Sequence, residues 1–482
     1  MSYQASINKG HRQEPLFINV LGMVLLGLMS FGYILFKRDF AEIHIILPIY
    51  NGLPFFVGEM LWVACFMLAG VKLFFFRQDL LKKYWVWLAL YGTWLLIKVV
   101  LGLWHCGPLA LRHAALFYYP LFFAFSFLFY DHRLFNRQIV CGFLCLLVIN
   151  FILRRYDTYW TLSLLALGGV LVLSFSSSFF RLLWGLALVC AVPYFTLFST
   201  ARMMIVANGV SFLILLSGLW AFLSKNKKYR GAAVAILILV CIPLAHRSYV
   251  MLPPARIFVT PSEVIRAFNG YEQSLREIKV KIPLQEEPHN EVTAPVILYV
   301  PEEKNVVTAE KSPSVVLIES SKAFQEWQSV NNIIFRLFIW RDMLVEWCQK
   351  KPLFGFDFGH PLRSISLERL HWAESEWGRD GWIEPHNSFL NIFYRAGIVG
   401  VFIIMVIFGT GIRFLQNAFH KRSWPLLFLS IIIWSWLVAA NFLLILEMPY
   451  TAIPFWSIFG MSVAYAVNYG QADEKSSEGK VT

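Results

Sequence analysis

Charge is what this sequence has least of. Only 15% of its 482 residues are Asp, Glu, Lys or Arg, while 58% are hydrophobic and 17% aromatic. Soluble domains are typically about 45–50% apolar, so a water-soluble globular protein is excluded. The chain also lacks a Gly-x-x-x-x-Gly-Lys phosphate loop, a nucleophile elbow and any cytoplasmic stretch large enough for nucleotide chemistry. Its seven cysteines make no framework. Cys65, Cys141, Cys145, Cys190 and Cys241 fall inside apolar runs, where cysteine is a small filler, and Cys106 and Cys348 carry no spacing from which a bridge follows. His360, His371 and Glu374 do not place three ligands on one face, so no metal and no other cofactor is expected.

What is there instead is long apolar runs. Crossing a hydrocarbon core of about 30 Å takes roughly 17–25 residues, and about twelve candidates stand near 16–36, 53–76, 85–103, 109–130, 138–153, 159–177, 179–199, 203–223, 231–250, 387–411, 424–446 and 450–468. The expected architecture is an all-α polytopic membrane protein. Residues 1–251 carry helices one to nine, 252–386 form one large loop, 387–470 carry helices ten to twelve, and 471–482 form a polar, disordered tail. The first run lacks a small-residue cleavage site and reads as an uncleaved anchor.

The formal charge of +12 suggests nucleic acid until its distribution is read. Residues 252–385 hold 15 Lys and Arg against 19 Asp and Glu, so the loop is mildly acidic and the basic surplus lies between the apolar runs. Arg77, Lys82, Lys83, Arg133, Arg137, Arg181, Lys225, Lys227, Lys228, Arg230, Lys421 and Arg422 fall on one side if both termini are cytoplasmic, which puts the loop outside. Lys37, Arg38, Arg154 and Arg155 run against that rule, with Asp39, Glu42 and Asp157 beside them.

Ionisable groups within or at the ends of spans are costly and therefore candidates for function. Glu59, Lys72, Lys98, Arg112, Arg202 and Arg395 are the set. Lys72 can snorkel beside Arg77 to the cytoplasmic face. Arg202 stands 23 residues before Lys225, about 35 Å of helix, which sets it at the extracytoplasmic mouth, and Arg112 and Lys98 fall near the same face. Anchoring by snorkelling is the plainer account of Arg112 and Lys98, while for Arg202 anchoring and function stand level.

Within the loop, Pro253–Val330 reads as irregular, with strands at Val296–Val300 and Val315–Ile318. From Asn332 the apolar residues Ile333, Leu337, Trp340, Leu344 and Trp347 recur at helical spacing, an amphipathic helix whose stripe can rest on the membrane surface. Arg336 lies at the edge of that stripe, one turn before Trp340. At the end of the loop stands Glu384-Pro385-His386-Asn387-Ser388-Phe389-Leu390, followed by Gly397 and Gly400. Pro385 suits a helix start, and His386 in the first turn would feel the positive end of the dipole and stay neutral.

Pro-His-Asn-Ser-x-Leu with Gly-x-x-Gly at the start of a late span resembles the O-antigen ligase and polymerase superfamily. So do Arg336-x-x-x-Trp340 leading to Pro352-Leu-Phe-Gly355-Phe-Asp357, and Arg202 opening a middle span. Asp357 stands where a second glycine is common, and Ala201 where serine is common. The resemblance implies transfer of a glycan from an undecaprenyl-diphosphate carrier to an acceptor hydroxyl on the extracytoplasmic face of the bacterial inner membrane, by a single inverting displacement without metal. It implies His386 as the base and Arg202, Arg336 and Arg112 as diphosphate ligands, since forked guanidinium groups suit phosphate oxygens. Asn387, Trp340 and Glu384 are supporting candidates. The acceptor stays open between a lipid A core sugar, a growing polysaccharide and a protein hydroxyl. From another class, a lipid or polysaccharide transporter would also carry arginines near a membrane cavity, with ionisable pairs at mid-membrane and interrupted helices in matching halves.

Overall fold

The computed structural model describes residues 16–47, 53–131, 202–223, 261–281, 322–370 and 385–478. In chain order its elements are α1 (Leu16–Ala41), β1 (His44–Leu47), β2 (Leu53–Phe56), α2 (Val57–Phe75), α3 (Gln78–Cys106), α4 (Leu109–Tyr118), α5 (Leu121–Phe129), α6 (Arg202–Leu223), α7 (Pro261–Lys281), α8 (Lys322–Lys350), α9 (Ile365–Arg369), α10 (Ser388–Ala396), α11 (Ile398–Lys421), α12 (Trp424–Ala439) and α13 (Pro449–Glu478). The described residues are mostly helical, as a membrane protein of this composition requires. Five helices, α1, α2, α3, α11 and Pro449–Val467 of α13, are long and apolar enough to cross a membrane, and the α4–α5 pair makes a sixth if it is one span. The expected spans at 138–153, 159–177, 179–199 and 231–250, the two expected loop strands and Glu384 lie outside the described residues.

Two expected helices and the tail take a different form. The run at 109–130 bends by 42° between α4 and α5, where Pro120 has no N–H to continue the helix. The run at 387–411 breaks at Gly397, whose φ of +59 is left-handed and where a Cβ would meet the Leu353 carbonyl oxygen at 2.4 Å. Only the part after the break, α11, is long enough to span. The tail is helical as far as Glu478 rather than irregular from Gln471, since Gln, Ala, Glu and Lys propagate a helix already started by a packed segment. Between α1 and α2 a short antiparallel hairpin pairs His44 with Phe56 and Leu47 with Leu53.

The bundle has two distinguishable ends. At one, the Lys72 ammonium donates to Asn19 Oδ1 at 2.5 Å and to the Leu128 carbonyl at 2.7 Å, and Asn19 Nδ2 donates to Asp131. This joins the start of α1 to the ends of α2 and α5. Lys72 is buried, so the expected snorkelling is corrected: carbonyl and amide oxygens inside the bundle satisfy the ammonium more cheaply than a stretch to the interface. At the other end, about 30 Å along α3, Lys98 meets the loop segment Phe354–Phe356. The N-terminal end of α1 and the segment Phe354–Phe356 therefore lie at opposite ends of the described bundle. Lys72→Met is expected to leave two buried acceptors unpaired and cost about 1–3 kcal/mol in thermal unfolding of the purified protein. An unchanged transition would instead fit a surface anchor.

The loop carries its own small core. Where an irregular segment was expected, α7 packs Ala267 and Tyr271 against Phe338 and Met343 of α8, with Phe268 stacked on Phe338 at 4.9 Å. The buried face of α8 is consequently Ile334, Phe338 and Met343, about one residue round from the expected stripe, and Leu344 is exposed. The buried apolar residues of α8 pack against α7, while Trp340 and Trp347 of the expected stripe are half-buried and meet Pro385 and Phe393.

Candidate functional site

The head of α10 is built by its cap. Asn387, in extended backbone, accepts from the Leu390 N–H at 2.9 Å through Oδ1, so the helix begins at Ser388. Pro385 and His386 thus precede the helix, which corrects the expectation that Pro385 opens it and His386 occupies its first turn. His386 has φ +49, a left-handed conformation that costs a non-glycine residue about 1–2 kcal/mol. That cost is held by surrounding bonds. The Ser388 N–H donates to Ala440 O, its hydroxyl donates to Leu443 O, and the Leu446 N–H donates back to that hydroxyl, stitching the turn to the chain between α12 and α13.

Helix α8 supplies the opposite wall and runs beside α10 in the same direction. Trp340 Nε1 donates to the Pro385 carbonyl at 2.7 Å, while further along Trp347 packs on Phe393 and the Tyr394 hydroxyl donates to Glu346 at 2.7 Å. One turn before Trp340, Arg336 Nη1 donates to the Phe442 carbonyl at 3.2 Å. Arg336, Trp340, His386 and Asn387 are therefore brought together at one turn. His386 is half-buried, and its pKa is pushed below the ordinary value first by burial and then by the charge of Arg336. The imidazole is thus neutral for reasons of burial and a neighbouring cation, where the sequence suggested a helix dipole.

The other site candidates distribute as follows. Gly218 of α6 lies against Leu427 near the start of α12, so the two helices run antiparallel and the Arg202 end of α6 stands at the end where Ala440 receives Ser388. Arg112 is exposed on α4, next to His113, whose Nδ1 accepts from the Gly359 N–H at 2.8 Å. That contact is at the Arg395 end of α10, so Arg112 and His386 lie toward opposite ends of that helix. Glu384, His371 and Glu374 lie outside the described residues. Cys106 and Cys348 are free thiols.

A second charged group corrects the snorkelling expected for Lys98, which is buried and bonded inside the protein. Lys98 and the fully buried Arg395 both point at the Pro352–His360 segment, with His105 against Asp357 at 3.3 Å and Glu346 near His360 at 3.9 Å. Burial, followed by the charge of Arg395, pushes the His360 pKa down. Charge inside an apolar run was the signal available for Lys98 and Arg395; their hydrogen bonds go to carbonyl oxygens, which no side-chain pattern announces, and Lys98 has in addition the Asp357 carboxylate at 3.8 Å.

The chemistry open to the first group is that of a cation held beside a neutral base: it can bind an anion and accept a proton. Among the described residues no three His, Cys, Asp or Glu side chains converge as a metal-ligand set. The chain matches no family model, no curated protein and no solved structure.

Proposed function

We propose that this protein is an integral-membrane glycan transferase, which moves a glycan from an undecaprenyl-diphosphate carrier to an acceptor hydroxyl in surface polysaccharide or lipopolysaccharide synthesis. The supporting observation is Arg336 and a neutral His386 meeting at one strained turn, together with the motif resemblance carried by the same residues. The proposed topology has about twelve spans, both termini cytoplasmic and residues 252–385 outside the inner membrane, as the basic runs suggest. A cysteine placed near Lys304 is expected to react with an impermeant thiol reagent in intact spheroplasts. Protection until lysis would overturn that orientation.

In this reading Arg336 and Arg202 hold the lipid diphosphate, and Arg112, on the far side of α10, is left for the glycan side of the donor. The acceptor oxygen attacks the anomeric carbon with inversion while its proton passes to His386 Nε2 or Nδ1. The bond from anomeric carbon to phosphate oxygen breaks, and its electron pair leaves on undecaprenyl diphosphate. Negative charge grows on that leaving oxygen, so the guanidinium contacts strengthen in the transition state.

The Arg336–His386 pairing carries a further consequence. With no donor bound, Arg336 disfavours imidazolium; a bound diphosphate reverses the local charge and makes the imidazole a better base. Both rate parameters should fall as pH drops, with the limb in kcat/KM below about pH 6.5 and lower than the limb in kcat, because the first reports free enzyme and the second the donor complex. Coincident limbs would remove this coupling.

A further inference from the structure

The segment Pro352–His360 turns four carbonyl groups onto two buried cations. Lys98 Nζ donates to Phe354 O at 3.2 Å and Phe356 O at 2.8 Å; Arg395 Nη1 donates to Asp357 O at 3.1 Å and His360 O at 2.7 Å. Among its N–H groups, Gly355 donates to Lys351 O, Phe356 to Tyr394 O, His360 to Asp357 O and Gly359 to His113. The segment is thus bound to the end of α8, to α4 and to α10 through donors as well as acceptors. The fit is tight on both sides, since a Cβ at Gly355 would meet the Arg395 backbone at 2.5 Å.

Arg395 sits at the last turn of α10, where the negative end of the helix dipole favours a cation. His386 stands just before the first turn of the same nine-residue helix. A helix this short has little stability of its own, so its direction is set by what holds its two ends. Ser388 and Trp340 hold the head, and Arg395, with Lys98 behind it, holds the tail.

We propose that Arg395 and Lys98 are positioning residues, which clamp the Pro352–His360 segment onto the tail of α10 and thereby fix the angle at which His386 faces Arg336. The catalytic consequence rests on the transferase reading, whereas the mechanical one does not.

The test uses purified full-length protein and three variants: Arg395→Met, Arg395→Lys, which keeps the charge with fewer donors, and Lys98→Met. Amide hydrogen exchange is read separately over residues 353–360 and 386–392. Loss of one or two charge-assisted bonds should speed exchange by about tenfold or more. The clamp predicts this in both segments for every variant that folds, smallest in Arg395→Lys. Faster exchange confined to 353–360, with 386–392 as in wild type, would overturn it. In parallel, turnover and donor affinity are measured with undecaprenyl-diphosphate-linked glycan. A lower kcat at unchanged donor affinity supports positioning, and lower affinity with unchanged kcat contradicts it. If wild type itself transfers nothing, the transferase reading fails, and the exchange result still decides the clamp.

Discussion

Replacing His386 by asparagine should lower transfer per folded molecule by about 10² to 10⁴ fold while leaving stability within about 1 kcal/mol of wild type. The two halves of that expectation have separate causes. Asparagine cannot serve as a base near neutral pH, so the acceptor proton has nowhere to go. Yet asparagine is among the few residues that adopt a left-handed backbone readily, and φ at this position is +49. The bonds that hold the turn, from Asn387, Ser388 and Trp340, do not involve the imidazole. His386→Gly should behave the same way, its relief of backbone strain set against greater freedom in the unfolded chain. A histidine kept only as a structural piece would show the reverse, with abundance and melting temperature falling in step with activity. The measurement is specific activity against thermal stability in the same purified samples.

The second large effect belongs to Arg336. Lysine keeps the charge but loses the planar fork, including the Nη1 donation to Phe442 O that aims the group. Arg336→Lys should weaken binding of the lipid diphosphate by about 10 to 100 fold, the worth of one charge-assisted bond. Because a cation remains beside His386, the acid limb of kcat/KM should stay below about pH 6.5. Arg336→Met removes both and should move that limb up toward about 6.5, since only burial then opposes protonation. Equal donor affinity in Arg336→Lys and wild type would reduce Arg336 to an anchor for the Phe442 segment.

The sequence shows the parts of this arrangement that repeat or stand out, and hides those that depend on backbone geometry. Apolar runs long enough to span are visible directly, and α1, α2, α3 and α11 follow from them. Arg336, Trp340 and His386 were each legible through the motifs they belong to, and the fold brings them to one turn. Their local geometry was not legible. That Asn387 rather than Pro385 starts α10 depends on a hydrogen bond from Leu390 N–H, and either residue is a plausible helix opener in the abstract. The break at Gly397 has the same origin: a close approach by the Leu353 carbonyl, 44 residues earlier, decides it. The rotated face of α8 shows a third kind of gap. An amphipathic stripe tells which residues seek cover, but α7 determined what covered them, and it lay in a stretch with few apolar residues.

The claim that matters most is that a glycan is released from its diphosphate carrier, since a transporter would pass the carrier across intact. The direct measurement is made in host cells lacking the protein, by mass spectrometry of envelope lipids alongside an assay of surface polymer. Lipid-linked glycan should accumulate in the outer leaflet, where an impermeant reagent reaches it in intact spheroplasts, whereas loss of a transporter would hold it in the inner leaflet; the polymer should be missing, with both restored by wild type and neither by His386→Asn at equal abundance. An unchanged diphosphate-lipid pool with normal polymer, or full restoration by His386→Asn, would contradict the account.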